Sequence, residues 1–259
     1  MCDAFARTGV AGDPDEYFAD EPRGALHAPT WLGQRLRLTA REYCDYLLAA
    51  HSGPNGVFGG KITAAQMTEL TDGLRSEFDP GLSRASLLGK VFPELRYIWI
   101  TRRNKTEQAV SFWRALQSGS YNSRQRSRSP SPRFSFSIID HTVDQLVFYE
   151  RLWGDFFARE GVVPLTIAYE DFVLNYETTI RSALAYLGID AGASLEPPPP
   201  QLERQADALS RAWVRKYESM KRRHRQLKIV LGLRHILGSE ERRRVYWARF
   251  AREPRLEGE

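Results

Sequence analysis

Cysteine is scarce in this 259-residue chain: Cys2 and Cys44 are the only two. Two thiols build neither a disulfide framework nor a cysteine-rich metal site, and their rarity fits a reducing compartment. The five histidines are scattered and give no pair at ligand spacing, so no metal cofactor is expected. Long apolar runs are missing as well. No stretch reaches the roughly 20 residues that span a bilayer, and the start lacks the pattern of a signal peptide. The expectation is a cytoplasmic protein with no transmembrane segment. A Walker-type phosphate loop is also lacking. The nearest approach, Asn55-Gly-Val-Phe-Gly-Gly-Lys61-Ile62, lacks the first glycine at the required spacing. Ile62 stands where a Ser or Thr would hold magnesium.

What the chain has is enough for a sizeable core, with 42% hydrophobic and 12% aromatic residues. Its net charge of +5 is uneven. From Arg215 to the end there are fourteen Lys and Arg against six Asp and Glu, an excess larger than that of the whole chain. The body is therefore slightly acidic.

Residues 95–101 (LRYIWIT) and 162–169 (VVPLTIAY) read as strands, near-continuous and apolar as buried parallel strands are. Residues 56–62 (GVFGGKI) are a weaker strand candidate. Thr39-Ala-Arg-Glu42 and Thr63-Ala-Ala-Gln66 are capping boxes that open two helices. Asn104 can cap a helix ending at Gly119. Residues 138–160 and 174–187 carry apolar side chains at helical spacing and stop at Gly161 and Gly188. Cys2 to Ala6 read as the last turns of a helix. Strands alternating with helices imply an α/β fold, a parallel sheet covered by helices on both faces, with ligands at the carboxyl ends of its strands. Residues 121–135, which include the acid-free run SRQRSRSPSPR, are expected to form a mobile loop. EPPPP at 196–200 reads as a stiff linker.

The stretch YIWITRRNKTEQAVSFWRAL carries the most chemistry. A strand ends in Arg102-Arg103 and a helix starts at once behind Asn104. That junction offers an anion free N–H groups beside a guanidinium. Ser111 lies two turns along the same helix, and helical side chains lean back toward the N-terminus. Arg103 and Ser111 suit a phosphate. On spacing alone they suit better a solvated arginine and a serine bonded to its own backbone.

The same pair resembles the strand-Arg-helix-Ser element with which PAPS-dependent sulfotransferases hold the 3′-phosphate of 3′-phosphoadenylyl sulfate. The wording is closest to the Stf-zero-type branch. TGVAGDPDEYF, NGVFGGKITAAQM, FPELRYIWITRRNKTEQAVSFWRALQ, the helix after IIDH, LTIAYEDF and ERQADALSRAWVRKYE follow in that branch's order, over roughly residues 8 to 218. The resemblance implies a P-loop NTPase-like sulfotransferase fold of three layers, with PAPS as donor and a carbohydrate such as trehalose as acceptor. It also implies a homodimer.

In that branch a glutamate in the GVAG-x-P-x-E-[FY]-F segment is the proposed general base. The matching residue is Glu16. A sugar hydroxyl is a poor nucleophile, and a positioned carboxylate can take its proton as the O–S bond forms. Asp13, Pro14, Asp15 and the ring of Tyr17 or Phe18 are candidate acceptor contacts; by pattern alone they also make an ordinary acidic turn. The family opens with a strand and a Ser/Gly-rich loop of RSGST type that wraps the 5′-phosphosulfate. Met1 falls just after where that loop would be. A late start and a real N-terminally truncated form both fit. Either way the chain as given is expected to transfer sulfate weakly or not at all, and a non-catalytic nucleotide- or partner-binding remnant is the alternative.

Lys61 reads either as a contact to sulfuryl group or acceptor, or as a solvated lysine. Trp31 reads as a sugar-stacking ring or a core aromatic. Arg215 and Lys216 fall where sulfotransferases bring a late basic residue to the 3′-phosphate. The expected organisation is a sulfotransferase domain over residues 1–218 and a basic helical extension over 219–259. The basic loop and tail raise a nucleic-acid reading. No aromatic platform or recognition motif accompanies the charge, so no nucleic-acid partner is expected.

Overall fold

Thr39 and Thr63 begin their helices in the same way. The structure, a computed structural model, describes residues 1–18, 37–118, 132–189 and 207–230. The Thr39 hydroxyl accepts the Glu42 N–H at 3.2 Å while the Glu42 carboxylate accepts the Thr39 N–H at 2.8 Å. Thr63 and Gln66 repeat the exchange at 3.3 and 2.7 Å. Each box satisfies two backbone donors that a helix start leaves open. Taking elements in chain order, α1 is Cys2–Ala6, α2 is Ala40–His51 and α3 is Ala64–Leu74. The sequence reading did not include α4, Arg84–Val91. Its cap is a plain one, the Ser83 hydroxyl accepting the Ser86 N–H at 3.2 Å.

The described chain divides into two compact units, residues 1–103 with 149–203 and residues 104–148 with 204–259. In the first unit Tyr43, Leu47, Leu70, Leu74 and Leu87 are fully buried where α2, α3 and α4 meet. Phe156 and Phe157, from the end of α6 (Phe136–Glu160), join the same cluster.

Two strands are described, β1 (Ile98–Thr101) and β2 (Leu165–Ala168). They pair in parallel with Ile98 opposite Leu165 and Ile100 opposite Ile167. Side chains alternate across the pleat. Tyr97 and Trp99 therefore pack toward Phe157, while Ile98, Leu165 and Ile167 pack with Phe5 of α1 and with Ile180, Ala183 and Leu184. The result is a helix-rich α/β unit around a small parallel sheet.

Residues 56–62 differ from the strand expected there. Only Gly60 forms a bridge, with Asp15. Gly56, Gly59 and Gly60 give this stretch little side chain to pack on a sheet, and Gly56 sits at φ +77° in a turn. The helix read over 174–187 is α8 (Tyr176–Tyr186); a short helix that the sequence reading did not include, α7 (Tyr169–Leu174), precedes it, with Asn175 between them at φ −125° and ψ 47°. The stop after α8 is as read. Gly188 takes φ +69°, and the Ile189 N–H donates to Leu184 O at 3.0 Å, closing the helix end.

In the second unit α5 (Lys105–Ser118), the first part of α6 and α9 (Ala208–Val230) enclose Val110, Ile139, Trp213 and Tyr217. Arg114 grips Asp207 with both guanidinium nitrogens, at 2.7 and 2.8 Å. Asp207 in turn accepts the Ser210 N–H at 2.8 Å, so one carboxylate ties α9 to α5 and caps it. Helix α9 runs unbroken across residues 218 and 219, where the extension was expected to begin. Among the described residues no helix is long and apolar enough to cross a membrane. Trp31, the EPPPP linker, most of the 121–135 loop and the tail beyond Val230 lie outside the described residues.

Candidate active site

Two glycines bring the acidic segment against the Gly-rich one. A Cβ on Gly12 would come within 2.5 Å of Val57 O and 3.1 Å of His51 O, and its φ is +68°. A Cβ on Gly59 would come within 3.0 Å of both Ala11 O and Pro14 Cβ. Only glycine allows this approach at Gly12. The contact is then fixed by backbone bonds: the Asp13 N–H donates to His51 O at 3.3 Å, and the Lys61 N–H donates to Asp15 O at 2.9 Å.

That backbone pairing aims two side chains at each other. The Lys61 ammonium donates to the Glu16 carboxylate and pairs with it. The Glu16 backbone N–H donates to Asp15 Oδ1 at 2.8 Å, which holds the turn. Both members of the pair are partly open to solvent, Lys61 at 52% and Glu16 at 42%. The carboxylate can therefore be reached from solvent without a core rearrangement.

The two aromatic neighbours take different places. Tyr17 lies over His51, ring centroids 4.4 Å apart, and its hydroxyl donates to Asp13 O. Burial, reinforced by the charges of Asp13 and Asp15, pushes that hydroxyl up to about 12, so it stays a donor. Phe18 is a core side chain, 6% exposed and edge-on to Tyr43. Of the two rings read as sugar contacts, Tyr17 is the one beside the acids. Tyr43 supports it from below, its hydroxyl donating to Tyr17 O at 2.6 Å. His51 Nδ1 stands 3.8 Å from the Asp13 carboxylate, an ion pair when the imidazole is protonated. Sequence reasoning missed Tyr43 and His51. Their one signal was their place on the helix that the Thr39 box opens.

A second constellation of the same unit stands at the carboxyl ends of β1 and β2. Arg103 follows β1, and Glu170 and Asp171 open α7 directly after β2. Arg103 Nη1 donates to Asp171 Oδ1 at 2.7 Å, and Nη2 donates to Asp171 Oδ2. The Arg103 backbone N–H donates to Glu170 Oε2 at 3.2 Å. The bidentate bond holds the Asp171 carboxyl below its ordinary range and keeps Arg103 charged. Beside them the Arg102 guanidinium lies 4.1 Å over the Tyr169 ring.

Ser111, Arg215 and Lys216 belong to the second unit. Asn104 Oδ1 accepts the Glu107 N–H at 3.0 Å and opens α5 as its sequence implied; Ser111 is half-buried two turns on. Arg215 is exposed on α9, and Lys216 places its ammonium 4.4 Å over the Phe134 ring. Among the described residues no three His, Cys, Asp or Glu side chains are grouped to hold a metal.

Residues 1–220 match the Stf0 sulphotransferase family. A trehalose 2-sulfotransferase of Mycolicibacterium smegmatis is 29% identical over 241 residues, covering 84% of this chain and 88% of the relative. A trehalose 2-sulfotransferase of Mycobacterium tuberculosis is 30% identical over 219 residues, covering 82% of this chain and 80% of the relative.

Proposed function

The chain belongs to the Stf0 sulphotransferase family, and from that premise we propose that it moves a sulfuryl group from 3′-phosphoadenylyl sulfate to a carbohydrate hydroxyl, trehalose or a similar sugar. The relatives' names support the acceptor class. The observation that carries the chemistry is the Glu16–Lys61 pair at the surface of the first unit.

Glu16 is the general base. Its carboxylate takes the acceptor's proton as the new O–S bond forms and the bond from sulfur to the bridging phosphate oxygen breaks, leaving adenosine 3′,5′-bisphosphate. Lys61 fixes the carboxylate in place and is assigned to a sulfonate oxygen of the donor once the acceptor displaces it from Glu16. Asp13, Asp15 and the Tyr17 face are the acceptor contacts, with Pro14 stiffening the turn between them. Arg103 and Ser111, with Arg215 and Lys216, are assigned to the 3′-phosphate on their match to the family's element. The homodimer rests on the resemblance alone; the three-layer sheet rests on the resemblance and on the alternation of strands with helices, and the cytoplasmic setting on the scarcity of cysteine and of long apolar runs.

Lys61 gives the test. Lys61→Met is expected to lower kcat by roughly tenfold to a hundredfold, the scale of a misplaced catalytic group, while Lys61→Arg recovers most of it. Steady-state kinetics at saturating donor read the difference. Wild-type kcat in Lys61→Met would remove the pair from the mechanism.

A further inference from the structure

Arg103 is already occupied. Its planar guanidinium offers two parallel N–H donors, the geometry that takes a carboxylate or a phosphate in the same way. Asp171 fills that fork with both oxygens. This inference rests on the assignment of Arg103 to the 3′-phosphate. We propose that Asp171 is an internal competitor for that phosphate: it holds the Arg103 fork until the nucleotide displaces it, and so sets how strongly the site favours a 3′-phosphorylated nucleotide.

The geometry allows the exchange. The pair is open to water, with side-chain exposures of 62% for Arg103 and 52% for Asp171. Exposed ion pairs contribute little net stability, so this one can open without a large loss. Opening does not release the backbone. Arg103 stays tied through its N–H to Glu170, and the strand ends stay in register with Thr101 opposite Ala168. Asp171 is also held by its main chain, its carbonyl accepting the Asn175 N–H at 2.8 Å. Only two side chains need to move.

The charge favours the incoming group. A phosphate monoester brings close to two negative charges near neutral pH against one on the carboxylate. A nucleotide without the 3′-phosphate brings nothing to this fork and leaves Asp171 in place. The competitor thus weakens binding of every ligand that would use Arg103, and only a ligand with a well-placed dianion overcomes it.

Calorimetric titration of the full chain tests this, with adenosine 3′,5′-bisphosphate and adenosine 5′-monophosphate as probes. Asp171→Asn keeps the size and removes the charge. It is expected to tighten the bisphosphate about threefold to fivefold, the scale of an exposed ion pair, and to leave the monophosphate unchanged. Asp171→Glu keeps the competitor and is expected to bind as the wild type does. In an Arg103→Met background the gain from Asp171→Asn is expected to vanish. Unchanged or weaker bisphosphate binding in Asp171→Asn, while Arg103→Met still removes the preference for the 3′-phosphate, overturns the competitor and leaves the Arg103 assignment standing. If Arg103→Met keeps the full preference, the assignment itself fails and the competitor with it. Thermal melting confirms that each variant is folded, and Asp171→Ser carries the same expectation should the asparagine variant not fold.

Discussion

Glu16→Gln is expected to lower sulfuryl transfer by about a hundredfold to ten-thousandfold, the range a positioned general base supplies, with binding of adenosine 3′,5′-bisphosphate unchanged. The substitution keeps the shape of the side chain and removes its ability to take a proton. Glu16 is 42% exposed and contributes no core packing, so the fold has no reason to change. The Lys61 ammonium can still donate to the amide oxygen of the glutamine. The loss should therefore fall on kcat rather than on donor binding. Binding calorimetry beside steady-state kinetics separates the two. A variant that transfers at the wild-type rate would show that another group takes the proton. A variant that loses nucleotide binding in proportion to activity would show that Glu16 shapes the donor site instead.

Gly12→Ala is the other large expected effect, and it acts through the backbone. At φ +68° any side chain is strained, and here the new Cβ would also stand 2.5 Å from Val57 O and 3.1 Å from His51 O. Both obstacles are main-chain oxygens that cannot rotate away. Stability is expected to fall by about 2–3 kcal/mol in urea unfolding. Gly9 supplies the control within the same segment. It has a similar φ of +72° but nothing within 4 Å of the added carbon. Gly9→Ala should cost about 1 kcal/mol, the backbone term alone. Activity should separate the two further. Gly12→Ala pushes the acidic segment off residues 57–61 and parts Glu16 from Lys61, whereas Gly9→Ala leaves that pair in place. Equal effects of the two substitutions would mean that the close approach at Gly12 does not position the site.

The features that the sequence revealed are those its local chemistry sets. Thr39 and Thr63 announce their helices within four residues, and both boxes form in full. Gly161 and Gly188 end helices at the left-handed positions expected of them. Residues 98–101 and 165–168 pair as parallel strands because aromatic and branched side chains fit both faces of the pleat. Residues 56–62 misled for the opposite reason. Their three glycines serve a close approach of two loops, which from sequence looks like a short strand. Helix α4 escaped notice because eight residues behind a lone serine carry little periodic signal.

The site was legible as single residues and not as pairs. Glu16 and Arg103 were picked out by motif, and neither motif names a partner. Lys61 is 45 positions from Glu16, and Asp171 is 68 from Arg103. Nothing local links either pair; the fold does, through the bridge at Gly60 in one case and the strand register in the other. Phe18 shows the same limit from the other side. Its place next to Tyr17 made it an equal candidate for the sugar, and burial against Tyr43 makes it core.

This chain is expected to transfer a sulfuryl group to a sugar by way of Glu16. The most direct measurement is a single-turnover reaction, protein in excess over 3′-phosphoadenylyl sulfate with trehalose present, followed by mass spectrometry of the sugar and the nucleotide. The expected result is sulfated trehalose, formed slowly by the chain as given and in equal amount to adenosine 3′,5′-bisphosphate, and formed at least about a hundredfold more slowly in Glu16→Gln under the same conditions. Bisphosphate accompanied only by free sulfate, or sulfated sugar formed equally well by Glu16→Gln, would contradict it.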